Sequence, residues 1–291
     1  MSFADVDFAM FWDVASLYQT DRVRGTDDRS DAEKALFKSA LAKGGALNLW
    51  YGHYFTAVWI QSELPDGFEA NMSALGLART CSESGWCHVE SSMASLIKSK
   101  DKRLDLSLRT THNSEYDHVA VFGEYDHNHF DYNNLVHRCA VGRAPPLTPQ
   151  AMSLVVHREK KFTGNADCNV VDDMYRDFFE ATAPTVIHLS LKDIGWGPAE
   201  ASALADALPH FPNCLSLDLF SNPICDAGAG ALFDAIARQG ACSLQTVKMV
   251  KCSLGDGAAL ALARVLERNR SLTFVSLAGN PSGQTGLLTP T

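Results

Sequence analysis

From Leu189 onward the sequence repeats itself. Leu217-Asp218-Leu219-Phe220-Ser221-Asn222-Pro223-Ile224 is answered by Val247-Lys248-Met249-Val250-Lys251-Cys252-Ser253-Leu254 and by Val275-Ser276-Leu277-Ala278-Gly279-Asn280. A degenerate copy, Leu189-Ser190-Leu191-Lys192-Asp193-Ile194, precedes them. Counted from Leu191 to Leu219, Met249 and Leu277, the spacing is 28, 30 and 28 residues. A fixed period on this scale is one supersecondary unit used several times, and each unit is too small to bury its own apolar face. The units hold only by stacking. Alternation in the L-x-L segment predicts a short strand with every second residue facing the core. Asn222, Cys252 and Asn280 fall at the bend that follows, where a short polar side chain satisfies backbone groups. Residues 227–238 and 258–268 predict helices rich in small residues that stack closely. Leu232 and Leu262 each lie ten residues past their bend residue, and Ala235-Ile236 and Val265-Leu266 continue the apolar stripe.

The pattern L-x-L-x-x-N-x-I-x-x-x-G at 217–228, carried at this period across 186–291, resembles the ribonuclease-inhibitor subtype of leucine-rich repeat. The resemblance implies a short α/β solenoid of about four units, the last incomplete, with Ile194 suiting a terminal unit. Such arrays carry no chemistry of their own; their extended strand surface binds proteins. The candidate binding positions are Ser190, Ser216, Asp218, Lys248 and Ser276, a mixed polar surface without a charge stripe. A purely structural role, capping the rest of the chain, is the other reading.

The first half predicts a different α/β domain. Phe8 to Asp13 reads as a buried strand ending in an acid. Ser30-Asp31-Ala32-Glu33 is a capping box that opens a helix, with Ala32, Leu36, Phe37, Ala40 and Leu41 at helical spacing. Residues 56–60 predict a strand, 85–98 a helix and 103–108 a further strand, an order that argues a mostly parallel sheet covered on both sides. With Trp86 at zero, helix geometry puts Glu90 at about 40°, Met93 at about −20° and Ile97 at about 20°, so the carboxylate falls within the apolar stripe. A carboxylate in an apolar stripe must be paired or must reach a cleft. Glu90 is therefore either a catalytic carboxylate or a helix-start acid paired with an arginine such as Arg79.

Trp86-Cys87-x-x-Glu90, after strand, helix and strand, resembles the W-C-x-x-E signature of Toll/interleukin-1 receptor (TIR) domains. The likeness covers roughly 6–110 and implies a flavodoxin-like parallel sheet. The family's first strand belongs before Phe8, where seven residues stand, so the domain is expected to be incomplete or reorganised. In NAD-cleaving members the glutamate is catalytic. The resemblance thus implies cleavage of the nicotinamide–ribose bond, with Glu90 stabilising charge on the sugar and Trp86 walling the pocket. NAD would be a substrate, no cofactor is called for, and self-association would complete the cleft. The combined layout resembles TIR-like leucine-rich repeat proteins of microalgae and related protists.

Other features narrow the function class. His127-Asn128-His129-Phe130-Asp131 opens like a dinuclear metal signature, but Tyr132 stands where a further histidine is needed; a weak surface metal site and a loop with incidental histidines are the two readings. The chain has 34 acids and 25 bases, a formal charge of −9, and neither half has the basic excess that binding nucleic acid requires. No apolar run is long enough for a membrane span, and the start Met1-Ser2-Phe3-Ala4-Asp5 lacks a signal-peptide pattern. The eight cysteines are scattered with no C-x-x-C pair, as expected of reduced thiols in the cytoplasm. Pro145-Pro146 marks a break. Three parts are expected: a TIR-like domain over 1–143, a linker and helical cap over 144–185, and repeats over 186–291. In the cap, a helix at 169–183 should set Val170, Met174, Phe178 and Phe179 on its apolar side, against the first repeat. The function expected is a cytosolic interaction or signalling adaptor; the alternative is an NAD-cleaving hydrolase.

Overall fold

In the computed structural model of the chain the described residues are 27, 29–42, 45–53, 55–62, 67, 70, 73–74, 80–108, 132–162, 167–238 and 243–281. The strand expected at 8–13, Arg79, and the His127, His129 and Asp131 trio lie outside them. Helix α1 (Asp31–Leu41) starts at the capping box: Glu33 N donates to Ser30 Oγ at 3.2 Å, and Ser30 N donates to Glu33 Oε2 at 2.7 Å. Helix α2 (Ala46–Gly52), strand β1 (Val58–Ile60), helix α3 (Gly85–Ile97) and strand β2 (Arg103–Asp105) follow. β1 and β2 pair in parallel, Trp59 opposite Leu104, with α3 in the connection. Parallel neighbours need such a crossover, and a helix is the usual one.

Helix α3 is buried over most of its circumference: Val89, Met93, Ala94 and Leu96 are all at most 1% exposed, and Trp86 and Ile97 pack against the same core. Glu90 is half-buried. At about 40° on the wheel it stands between Met93 at about −20° and Ala94 at about 80°.

Helices α4 (Tyr132–Val141), α5 (Pro149–Glu159) and α6 (Asp167–Thr182) lead to the repeats. Thr148 caps α5 by accepting from Ala151 N at 3.2 Å, with Pro149 in the first turn, where a missing N–H costs nothing. On α6, Met174, Phe178 and Phe179 are buried as expected, but Val170 is turned outward and Tyr175 fills the core instead. The Tyr175 hydroxyl donates to Leu147 O at 2.8 Å, which makes its burial affordable. Phe179 meets Phe211 edge-on, centroids 5.8 Å apart, and Trp196 Nε1 donates to Arg143 O at 2.8 Å. One apolar core runs from Leu47 through α6 to Val265.

Each repeat then forms a strand and, after the first three strands, a helix: β3 (His188–Ser190), α7 (Pro198–Ala207), β4 (Ser216–Asp218), α8 (Cys225–Ala237), β5 (Thr246–Lys248), α9 (Asp256–Arg268) and β6 (Phe274–Ser276). The four strands pair in parallel in chain order, with Leu189, Leu217, Val247 and Val275 in one row. The helices begin two residues earlier than the sequence suggests. Leu232, Ala235 and Ile236 are buried, Leu262 packs on the core, and Leu266 is 44% exposed rather than part of the stripe. Helix α9 packs on α8, and among the described residues no further helix covers its other side.

The bends explain the period. Asp193, Ser221, Lys251 and Gly279 occupy equivalent places, and all have positive φ, at 52°, 60°, 55° and 69°. The next residue but one is also left-handed in two units, at Gly195 and Ser253. Pro223 stands at that place in the unit between; its ring forbids positive φ, and the left-handed residue shifts to Cys225. Asn222 Oδ1 accepts from Ile194 N at 3.2 Å and Trp196 N at 3.1 Å, and Nδ2 donates to Leu191 O at 2.7 Å and Leu219 O at 2.8 Å. Asn280 repeats this two units on, with Cys252 N, Leu254 N, Met249 O and Leu277 O. Cys252 has only a thiol at the same place. It donates to Leu219 O at 3.1 Å but is a weak acceptor, and Ile224 N turns instead to Asn222 O at 2.7 Å.

Candidate interaction face

The strands bury one set of side chains and present the other in rows across the sheet. His188, Ser216, Thr246 and Phe274 form one row, and Ser190, Asp218, Lys248 and Ser276 the next. Four of the five sequence candidates thus fall in a single row, and Ser216 stands beside it. Ser190 and Lys248 are exposed, and Ser216, Asp218 and Ser276 are half-buried.

Charge on this face is locally balanced. Asp218 Oδ2 receives Lys192 Nζ at 3.1 Å and Lys248 Nζ at 4.0 Å, while Oδ1 accepts from Phe220 N at 3.2 Å. His188 Nδ1 lies 2.8 Å from Ser216 Oγ. At the first bend, Asp193 Oδ2 holds Lys100 Nζ at 3.1 Å and His137 Nδ1 at 3.8 Å. Two aromatic rings flank these groups: Phe220, 37% exposed with Lys251 Nζ 5.8 Å from its centroid, and Phe274, 52% exposed. Rings beside paired charges suit a docking surface, because aromatic side chains bring large rigid area at small entropy cost. The sequence reading missed His188, Lys192, Thr246, Phe220 and Phe274. Shifting Ser216 by one period in either direction finds His188 and Thr246; Phe274 follows only from the pairing of its strand opposite Thr246, and Lys192 and Phe220 are periodic partners to which no candidate leads.

The other candidates separate from this face. Trp86 Nε1 donates to Asp167 Oδ2 at 3.3 Å and ties α3 to α6. A small cleft of about 10 Å³, room for a water-sized group, lies among Lys98, Lys100, Arg103, Cys139 and Arg143 and does not include Trp86 or Glu90. Two of its cations, Lys98 and Arg143, serve the backbone. Lys98 Nζ donates to His53 O and Thr56 O at 2.5 and 3.0 Å, and Arg143 Nε to Ser95 O at 3.0 Å. Burial pulls Lys98 down to about 8 and Arg143 down to about 10. No group of three or more His, Cys, Asp or Glu among the described residues is arranged to hold a metal ion, and no described helix is long and apolar enough to cross a membrane.

No protein-family model matches the chain. It is similar to "NACHT, LRR and PYD domains-containing protein 12" of Mus musculus, 34% identical over 99 residues, 34% of this chain and 9% of that protein. It is also similar to "NACHT, LRR and PYD domains-containing protein 5" of Bos taurus, 27% identical over 146 residues, 49% of this chain and 13% of that protein. A third relative, "NACHT, LRR and PYD domains-containing protein 14" of Homo sapiens, is 28% identical over 120 residues, 37% of this chain and 11% of that protein. The chain therefore spans about a tenth of the length of the curated relatives it matches. The likeness is a distant one to proteins that carry leucine-rich repeats.

Proposed function

We propose that residues 186–291 are a ribonuclease-inhibitor-type leucine-rich repeat array whose exposed sheet face docks a protein, and that the chain is a cytosolic interaction or signalling adaptor. The observation that carries this reading is the row Ser190, Asp218, Lys248 and Ser276, set between the exposed rings of Phe220 and Phe274. The repeats in the relatives' names support it. Residues 144–185 serve as the cap of the array, a role in keeping with the apolar core that continues from α6 into the repeats.

The NAD-cleaving alternative rests on the W-C-x-x-E resemblance. Trp86 donates its indole N–H to Asp167, Glu90 is half-buried on α3, and no geometry among the described residues favours that chemistry.

The test uses the full chain and a variant carrying Asp218→Arg and Phe274→Glu. Both are immobilised and exposed to cytosolic extract. A protein retained by the wild type and lost by a variant of unchanged melting temperature supports the adaptor reading. Equal capture by both overturns it.

A further inference from the structure

Away from the sheet face, two neighbouring helices bring a cysteine, a histidine and an aspartate into line. Helix α5 carries His157 near its end, and α6 carries Cys168 in its first turn and Asp172 one turn on. His157 Nδ1 lies 3.2 Å from Cys168 Sγ, and Nε2 lies 3.3 Å from Asp172 Oδ2. Asp172 is buried, and the same oxygen accepts from Ser153 Oγ at 2.8 Å and from Arg176 Nη2 at 3.4 Å, which holds the carboxylate in place. A carboxylate only accepts, so it fixes the imidazole proton on Nε2 and leaves the Nδ1 lone pair facing the thiol. The other acceptor near Sγ, Val156 O, is farther away at 3.8 Å. The imidazole stands between its two partners with one ring nitrogen to each. That is a relay, not a chelate.

We infer that Cys168 is a base-assisted nucleophile that takes acyl groups from activated esters or thioesters, with His157 as the general base and Asp172 as the residue that positions the imidazole. Sγ bonds to the carbonyl carbon as the thiol proton passes to His157 Nδ1. The bond from that carbon to the departing oxygen or sulfur breaks, and the leaving group takes the proton from Nδ1. A thioester on Cys168 remains, and no oxidant or reductant is needed.

Burial and the Asp172 carboxylate push the Cys168 thiol up from its ordinary value, so reaction needs a base at hand rather than a standing thiolate. A relay that stores a proton is of most use where the leaving group must recover one, as alkoxides and thiolates do. The His157 side chain is 41% exposed, and an acyl donor can reach it from solvent. The start of α6 also favours negative charge developing on the carbonyl oxygen.

The full chain is treated with p-nitrophenyl acetate at neutral pH, and acetylation is mapped by peptide mass. Cys168 is expected to acetylate faster than Cys225, a half-buried thiol that contacts a backbone carbonyl, and more slowly in D2O than in water. His157→Gln should slow Cys168 about 100-fold, the usual contribution of a general base, and leave Cys225 unchanged. Asp172→Asn should slow it less. Wild-type Cys168 reacting no faster than Cys225, or showing no isotope effect, overturns the assignment without reference to any variant.

Discussion

Asn222 of one repeat closes the loop of the repeat before it, its Oδ1 accepting from Trp196 N at 3.1 Å while Nδ2 donates to Leu191 O at 2.7 Å. The side chain is fully buried, so none of these backbone groups can turn to water instead. Asn222→Ala strands several of them at once, and each unsatisfied buried group costs about 1–3 kcal/mol. We expect a loss of about 3–5 kcal/mol, read as a lower urea midpoint at unchanged slope. Asn222→Asp keeps the acceptor but lacks the donor and buries a charge; it should be at least as damaging.

Helix α8 offers a contrast between two glycines two residues apart. A Cβ on Gly228 would lie 2.6 Å from Ile224 Cγ2, 2.9 Å from Ala201 Cβ and 3.1 Å from Pro198 Cα, where α7 and α8 approach. A Cβ on Gly230 would meet nothing within 4 Å. Gly228→Ala should therefore cost about 1–3 kcal/mol through overpacking. Gly230→Ala should gain about 0.5–1 kcal/mol from helix propensity. Thermal melts of the two variants check this, and shifts of the same sign would refute it.

The repeats were legible because their signal is periodic and their geometry local. Leu217 and Leu219 reveal the strand, and Asn222, three residues on, reveals the bend. That Asn222 reaches back 28 residues to Ile194 could not be read from one copy alone. It follows only when strands stack in register. A helical wheel places Glu90 beside Met93, but that Glu90 is only half-buried depends on the neighbouring elements and cannot be read from spacing. Phe274 was overlooked because its own copy begins at Val275, and its place became clear only opposite Thr246. His157 and Cys168 match no motif. They lie 11 residues apart on separate helices, and only the packing of α5 on α6 aligns them.

His88 on α3 makes the fold sensitive to acid. Burial, with a smaller contribution from Lys160, lowers its pKa from 6.5 to about 4, and its Nε2 has no hydrogen-bond partner among the described residues. The unfolded chain takes up the proton near the ordinary value; the folded chain resists until about 4. Between those limits the unfolded state binds more protons, so stability falls as pH falls. For this half-buried ring we expect a loss of about 1–3 kcal/mol across that window. Denaturant titrations at pH 7 and pH 4.5 on wild type and His88→Gln isolate it, because the variant lacks this share of the drop.

The exposed face should be separable from the fold that supports it. Asp218 and Leu219 are adjacent on the chain but answer to different forces. Asp218 makes its ion pairs with Lys192 and Lys248 side chains that are 50% and 47% exposed, and pairs screened in this way contribute at most about 1 kcal/mol. Leu219 is fully buried, and truncating such a side chain leaves a cavity worth about 2–5 kcal/mol. Asp218→Ala should therefore melt near the wild type and lose the docked partner, whereas Leu219→Ala should unfold earlier whether or not a partner is present. If Asp218→Ala proves as destabilising as Leu219→Ala, the carboxylate is holding the bend together through Phe220 N rather than facing a partner, and the docking role passes to the two phenylalanine rings alone.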